Sequence, residues 1–428
     1  MLSHSITQWP AHALSRRSLL FGAAGAVAGS FFPTFGLSAA SPAPEDDAPS
    51  PADWDWLLNK AKSLIAASRV NLPDGISGWK PAPEGTYAGF WLRDFVYMLL
   101  GCPEAFDWDE AAAGLQFLLD RQSPDGVMPS YYAVAADKIE YRCIGANPEE
   151  DGASFAVLGT KAIYEHSGDD RFFAKNAARL ERAMTEGVTR CPITGLIWIN
   201  PLEPHSGYGF HDTVDKRGYD LFCSVLWWEA ARAMAFLFEA VGNENRKRHW
   251  NAQAEWLQLH LLKAFWNKQT EMLNAATVYC VQSDIWGSAY AAMLGLLDPA
   301  TADKISRSLA RAYDVIVRHG QVRQTLDPGW THMLTGVRDY RSSSRGRIAG
   351  IRQAGQYQNG AYWATASGWL ARALARTDRA MAARLIRDCI RDFRDHGIYE
   401  CINVDYTKAK DYVASAANPL LARPIWKI

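Results

Sequence analysis

The stretch Glu203–Glu229, EPHSGYGFHDTVDKRGYDLFCSVLWWE, decides how the rest of the chain reads. Its first half is polar, aromatic and glycine-laced, and carries His205, His211, Asp212 and Asp215. Its second half is apolar on nearly every side through Leu221, Phe222, Val225, Leu226, Trp227 and Trp228. A helix that is apolar all round belongs inside a sizeable core. Two carboxylates and two histidines are thus delivered to the mouth of a central buried helix. Taken alone, Asp212 or Asp215 reads equally well as the N-cap of that helix, since Asp is a preferred capping residue. Whether the arrangement recurs along the chain separates these readings.

It does recur. Amphipathic helices are predicted near 53–68, 109–121, 170–188, 245–264, 301–318 and 378–394. In the fifth, Ile305, Leu309, Tyr313 and Ile316 form one stripe while Lys304, Arg307 and Arg311 lie off it, the spacing of a helix with one buried face. Between them fall apolar helices rich in Ala, Gly and Ser, near 90–100, 153–165, 217–240, 284–297, 361–374 and 411–422. No strand pattern and no Gly-rich phosphate loop is evident. Six outer and six inner helices in strict alternation describe an all-α fold, an (α/α)6 toroid of six helical hairpins spanning residues 53–428.

The links are lopsided. Those from an inner helix to the next outer one are short, as at Ser167-Gly168-Asp169 and Asp298-Pro299. Those from outer to inner run to roughly fifteen to forty residues, where loops in compact domains are typically about four to six. In an alternating toroid all the long links share one end, and these are full of tryptophan and tyrosine. One end of the barrel should therefore carry an aromatic-lined funnel. Its six junctions contain Phe90-Trp91-Leu92-Arg93-Asp94, Asn147–Gly152 with Asp151, the opening stretch, Gln282–Trp286, Tyr357–Trp363 and Tyr399–Asn403 ahead of Asp411-Tyr412. Acidic or amide groups beside aromatic rings suit a sugar subsite, where carboxylates bind hydroxyl groups and rings stack on apolar sugar faces.

The N-terminus reads differently. Ser15-Arg16-Arg17-Ser18-Leu19-Leu20-Phe21 precedes an Ala- and Gly-rich apolar run, with small residues at Ser38 and Ala40. That is the order of a twin-arginine export signal over residues 1–40. A membrane anchor would need about twenty strongly apolar residues, and Pro33 and several glycines interrupt this run. Residues 41–52 read as a flexible mature N-terminus, and the expected location is periplasmic or secreted. No later segment is read as long and apolar enough to span a membrane.

The 428-residue chain has a formal charge of −1, and loses two arginines with its signal. That near-neutral balance favours neither nucleic acid nor an anionic surface. Seven cysteines lie scattered without a CxxC, and read as small buried hydrophobes, not as a disulfide framework or zinc site. Seventeen tryptophans are many for an exported protein, and fit carbohydrate stacking as well as core.

At these junctions the sequence resembles the six-hairpin glycosidases, above all glycoside hydrolase family 63 and its relatives, the family 37 trehalases and the glucoamylases. The resemblance is carried by Trp91-Leu92-Arg93-Asp94, Asp125-Gly126-Val127-Met128-Pro129, Ser206-Gly207 ahead of Asp212, Tyr357–Trp363 and Tyr399-Glu400. It implies that Arg93 and Asp94 hold the terminal sugar, that Asp212 is the general acid and that Glu400 is the general base. The acid loop reads SGYGFHDTVDK, which leaves Asp215 open as the acid. The last segment, YECIN, departs from the Tyr-Asp of trehalases.

Glycosidic cleavage needs a proton for the leaving oxygen and a carboxylate for water. Asp212 and Glu400 come from different hairpins, as a pair on opposite faces of a sugar ring requires. The expected activity is an inverting glycoside hydrolase, exo-acting on α-linked glucosides or related oligosaccharides. The expected substrate-binding set is Trp91, Arg93, Asp94, Asp151, His211, Asp215, Trp286, Gln358, Asn359, Tyr362 and Trp363. His211 reads equally as a sugar ligand or a structural histidine. His205 and His332 lack metal-ligand spacing, and no metal or cofactor is expected. The basic run Arg338–Arg347 reads as solvated surface or as a clamp for an acidic sugar. The partner is an oligosaccharide, with no nucleic acid and no membrane after signal removal, and the protein is expected to be a monomer. Two rivals share the toroid: a uronyl hydrolase or polysaccharide lyase, and a sugar-binding protein that has lost catalysis.

Overall fold

The computed structural model describes residues 48–85, 87–141, 143–144, 147–202, 212–334 and 353–427. The signal stretch, Ser206-Gly207, His205, His211 and Arg338–Arg347 lie outside the described residues.

Helices alternate as the sequence predicts. The outer set is α1 (Pro51–Ala67), α3 (Trp108–Leu119), α5 (Arg171–Thr185), α7 (Glu244–Phe265), α9 (Pro299–Arg311) with its one-turn continuation α10 (Tyr313–Ile316), and α12 (Arg379–His396). The inner set is α2 (Leu92–Gly101), α4 (Gly152–Ser167), α6 (Leu221–Ala240), α8 (Ile285–Leu294), α11 (Ser367–Leu374) and α13 (Val413–Ala417), the last continuing as a 3-10 stretch over Asn418–Trp426. The ring closes: α2 packs on α4, α4 on α6, α6 on α8, α8 on α11, α11 on the 3-10 stretch, and that stretch and α13 on α2. Each outer helix lies against an inner one. Closure is tight where α2 meets α13, since a Cβ on Gly101 would come 2.6 Å from the Ala417 carbonyl oxygen.

Local chemistry explains the ends. Ser50 and Asp53 form a capping box with Pro51 in the first turn, so α1 starts inside the stretch expected to be flexible. Asp107, Asn243, Asp298 and Asp378 cap α3, α7, α9 and α12 through their side chains. The stripe of α9–α10 is buried as read, with Ile305, Leu309 and Ile316 fully enclosed.

Two expectations need correction. Helix α6 is long and apolar enough, by length and composition, to cross a membrane, with a mean hydropathy of 1.4. It is instead the core helix of the ring, with 83% of its apolar 18-residue window buried, as the all-round apolar pattern requires. The long links also contain strands, which the sequence did not betray. Gly89–Trp91, Tyr131–Ala133 and Lys138–Glu140 form one antiparallel sheet. A five-stranded antiparallel sheet runs Val317–Arg318, Gln321–Arg323, Tyr362–Trp363, Tyr399–Asn403, Tyr406–Lys410. Strands of two to five residues are too short to display a period of two.

Candidate active site

Glu400 is the second residue of the Tyr399–Asn403 strand in that sheet and is 1% exposed. The Tyr87 hydroxyl donates to its Oε1, and Lys408 Nζ lies 2.7 Å from its Oε2. Lys408 Nζ also donates to Tyr87 Oη at 3.1 Å and stands 3.6 Å from the centroid of the Tyr357 ring. Asp94, in the first turn of α2, accepts a 2.5 Å hydrogen bond from Tyr412. The rings of Tyr87 and Tyr412 are 5.8 Å apart, so the first and sixth junctions meet here. Burial pushes the Asp94 carboxyl up to about 6; Tyr412 and Arg93 oppose this and the Glu400 charge adds to it. Trp91, half-buried, stacks on Tyr131 at 4.1 Å and meets Tyr87 edge-on at 6.2 Å.

Asp212 is 7% exposed, and Gln358 Nε2 donates to its Oδ1. Gln358 Oε1 in turn accepts from the Thr213 amide at 2.8 Å and hydroxyl at 2.7 Å. The turn Gln356–Asn359 that presents Tyr357 and Gln358 is possible because Gly360 has φ +103 and passes the Pro328 carbonyl, leaving no room for a side chain. One dipeptide thus touches both halves of the site. Gln358 holds Asp212, and Tyr357 lies beneath the ammonium that holds Glu400.

The remaining predicted residues divide. Asp215 is not the helix cap: both its oxygens take a bidentate pair with Arg217, at 2.8 and 2.6 Å. The cap of α6 is Asp220, whose Oδ1 accepts from the Cys223 amide at 2.8 Å. Arg93 turns to Asp151, with Nε and Nη2 each 2.8 Å from Oδ2, and Asp151 is wholly enclosed. That pair is a buried link between α2 and α4. Trp286 and Trp363 lie deeper. Both are fully buried, 5.8 Å apart edge-on, with Nε1 donating to the carbonyls of Val322 and Tyr357. They offer no face to a ligand. Tyr362 Oη accepts from Arg323 at 2.6 Å and donates to the Val315 carbonyl. Asn359 Oδ1 accepts the Trp330 amide at 2.7 Å, which ties down its turn.

Tyr87, Tyr412 and Lys408 were missed. Tyr412 stands at a junction already singled out. Tyr87 lies in the first long link, whose aromatic content was the available signal. Lys408 gave none, because its strand was not recognised. Among the described residues no group of three or more His, Cys, Asp or Glu is arranged to hold a metal ion. Cys102, Cys223, Cys280, Cys389 and Cys401 are buried, and Cys191 is partly exposed.

Two further buried carboxyls stand at the starts of α4 and α8. Glu150, 1% exposed, accepts the Thr189 amide at 2.6 Å; burial pushes it up to about 8, against that hydrogen bond and with the charges of Asp220 and Asp151. Asp284 caps α8 through a 2.8 Å bond from the Gly287 amide, and burial pushes it up to about 7. Both folded-state values exceed the unfolded ones. Each carboxyl therefore contributes stability that is complete below about pH 4 and is lost as pH rises through 7 and then 8. Glu150→Gln keeps the shape and removes the upper titration. Its Tm should fall less than that of the wild type between about pH 6 and about pH 9. Parallel Tm profiles would contradict the assignment.

No protein-family model matches the chain, and no curated protein matches it in sequence. Solved structures do. A family 63 mannosylglycerate hydrolase from Thermus thermophilus, in complex with glucose, superposes with a TM-score of 0.61 at 17% identity, over 87% of this chain and 100% of that one. The same enzyme with Tris and D-glycerate gives 0.60 at 15%, with the same coverage. A structure described as a wild-type glycosidase gives 0.59 at 14%, over 87% of this chain and 97% of the other. At these identities the likeness is one of fold, and the fold is the six-hairpin toroid.

Proposed function

We propose that the protein is an inverting glycoside hydrolase, with Asp212 as general acid and Glu400 as general base. The observation that carries this reading is the Tyr357-Gln358 dipeptide, which touches Asp212 directly and Glu400 through Lys408. Two carboxyl groups from separate hairpins are so held at the end of the barrel where the inner helices begin. Asp212 gives its proton to the glycosidic oxygen as the bond to the anomeric carbon breaks. Water attacks that carbon from the opposite face and gives its proton to Glu400. Inverting enzymes hold such a pair about 6.5–9.5 Å apart to admit the water. Asp94, steadied by Tyr412, accepts from hydroxyl groups of the terminal sugar, and Trp91 on its Tyr131 platform supplies a ring face. The long links favour a closed pocket and exo action on α-linked glucosides or related oligosaccharides. The arginine pair at Arg16-Arg17 favours export by the twin-arginine route.

The test is to incubate the mature protein with maltose, trehalose, mannosylglycerate and 4-nitrophenyl α- and β-glycosides, alongside uronate polymers. Release of a free terminal sugar from at least one α-glucoside is expected. Unsaturated products from the uronate polymers alone would replace this reading with a lyase, and binding without any release would replace it with a sugar-binding protein.

A further inference from the structure

The Lys408 ammonium stands among three groups of the site. Glu400 Oε2 is at 2.7 Å, Tyr87 Oη at 3.1 Å and the Tyr357 ring centroid at 3.6 Å. Tyr87 meanwhile donates to the other oxygen of Glu400, so lysine, tyrosine and glutamate form a closed triangle in which each touches the other two. The three groups come from separate segments: Tyr87 from the first long link, Glu400 and Lys408 from adjacent strands of the last hairpin, on either side of the Asn403–Tyr406 turn. The carboxylate cannot rotate without breaking two charge-assisted contacts, yet each oxygen keeps a lone pair, because an ionised carboxylate has about four acceptor sites.

From this geometry we infer that Lys408 is a positioning residue for Glu400: with Tyr87, it fixes the plane of the base toward the attacking water and does not bind the sugar. The inference rests on the assignment of Glu400 as base. The cation has a second consequence. Glu400 stands close enough to Asp94 for its charge to push the Asp94 carboxyl upward, and Lys408 is the only cation with a contact to Glu400 among the described residues. Two buried carboxylates beside one another need such a counter-charge to remain in one pocket.

A residue that acts through the base alters turnover and leaves ground-state binding alone. Misplacing a reacting group by about 1 Å costs on the order of 10²-fold. On 4-nitrophenyl α-glucoside, or the panel glycoside that the wild type cleaves fastest, Lys408→Met should lower kcat by about 10²-fold with KM nearly unchanged. Lys408→Arg, which can still donate to both Glu400 and Tyr87, should recover most of that loss, and Lys408→Gln should recover less. Should Lys408→Met fail to fold, the Arg and Gln pair decides the matter, since equal kcat for the two overturns the inference. A rise in KM with kcat preserved in Lys408→Met would make Lys408 a sugar ligand and also overturn it. Glu400→Gln is the control. If Glu400→Gln is inactive while all the Lys408 variants turn over at the wild-type rate, only the positioning role falls; if Glu400→Gln is fully active, the base assignment itself falls.

Discussion

Glu400→Gln and Asp212→Asn should each lose turnover by about 10²–10⁴-fold, the usual worth of general base or acid assistance, and still bind substrate. The amides keep the shape of the acids. What disappears is the ability to take a proton from water at residue 400 or to give one to the leaving oxygen at residue 212. Both positions are nearly enclosed, at 1% and 7% exposure, so solvent cannot readily stand in for either. Asp212→Asn retains a carbonyl oxygen to accept from Gln358, and the Thr213 contacts to Gln358 are untouched. In Glu400→Gln the Tyr87 hydrogen bond survives through the amide oxygen, while Lys408 loses its counter-charge, so Tm should be recorded beside the kinetics. Asp215→Asn is the informative comparison. Its two oxygens serve Arg217, which also lies 4.3 Å from the Tyr279 ring. Asp215→Asn should therefore lower stability and leave turnover near that of the wild type. Inactivity in Asp215→Asn with activity retained in Asp212→Asn would transfer the acid to Asp215.

The largest stability effect is expected at Lys216. Its Nζ is 2.5 Å from Asp220 Oδ2, and both side chains are fully buried. Burial works to lower the pKa of the ammonium, but Asp220 foremost, with Asp284 behind it, raises it overall. The pair links the loop that carries Asp212 to the first turn of α6, and Asp284 caps the neighbouring α8. Removing one partner of a buried ion pair leaves an uncompensated charge and costs about 3–5 kcal/mol. Lys216→Met should lose that much in denaturant unfolding, seen as a lower midpoint with an unchanged slope. Adding Asp220→Asn should restore part of it, since the stranded charge goes, although the amide caps α6 without the charge. A loss below about 1 kcal/mol, as for an exposed pair, would show that the surroundings of Lys216 are better solvated than its enclosure implies.

The toroid was legible because its signals are long. Thirteen residues of α9 and twenty of α6 suffice to show, respectively, a one-sided stripe and an apolar surface all round. The asymmetry of the links placed Asp94, Asp212, Gln358 and Glu400 at one end without any motif. Partner choice was not legible. Arg93 beside Asp94 reads as a sugar clamp in one dimension, and only the approach of α4 gives the guanidinium Asp151 instead. Trp286 and Trp363 look like stacking platforms in sequence, but Trp286 in the first turn of α8 and Trp363 on the strand before α11 both face inward, where they meet each other edge-on and Trp286 meets Trp369 of α11. Asp212 and Asp215 each read as the start of α6, but Asp220 takes that place, directly after the Gly218-Tyr219 strand ends. Lys408 was hidden in a five-residue strand whose place beside Glu400 is set by hairpin register.

That Asp212 and Glu400 act across a sugar ring on a water molecule is tested most directly by the anomeric configuration of the first-formed product. Proton NMR follows it faster than mutarotation, on an α-glucoside that the protein cleaves. With Glu400 as base, β-glucose appears first and α-glucose only later, as mutarotation proceeds. If α-glucose appears first, the reaction retains configuration and proceeds through a covalent glycosyl-enzyme, which requires carboxyl groups only about 5–5.5 Å apart, and the water-activating role of Glu400 is contradicted.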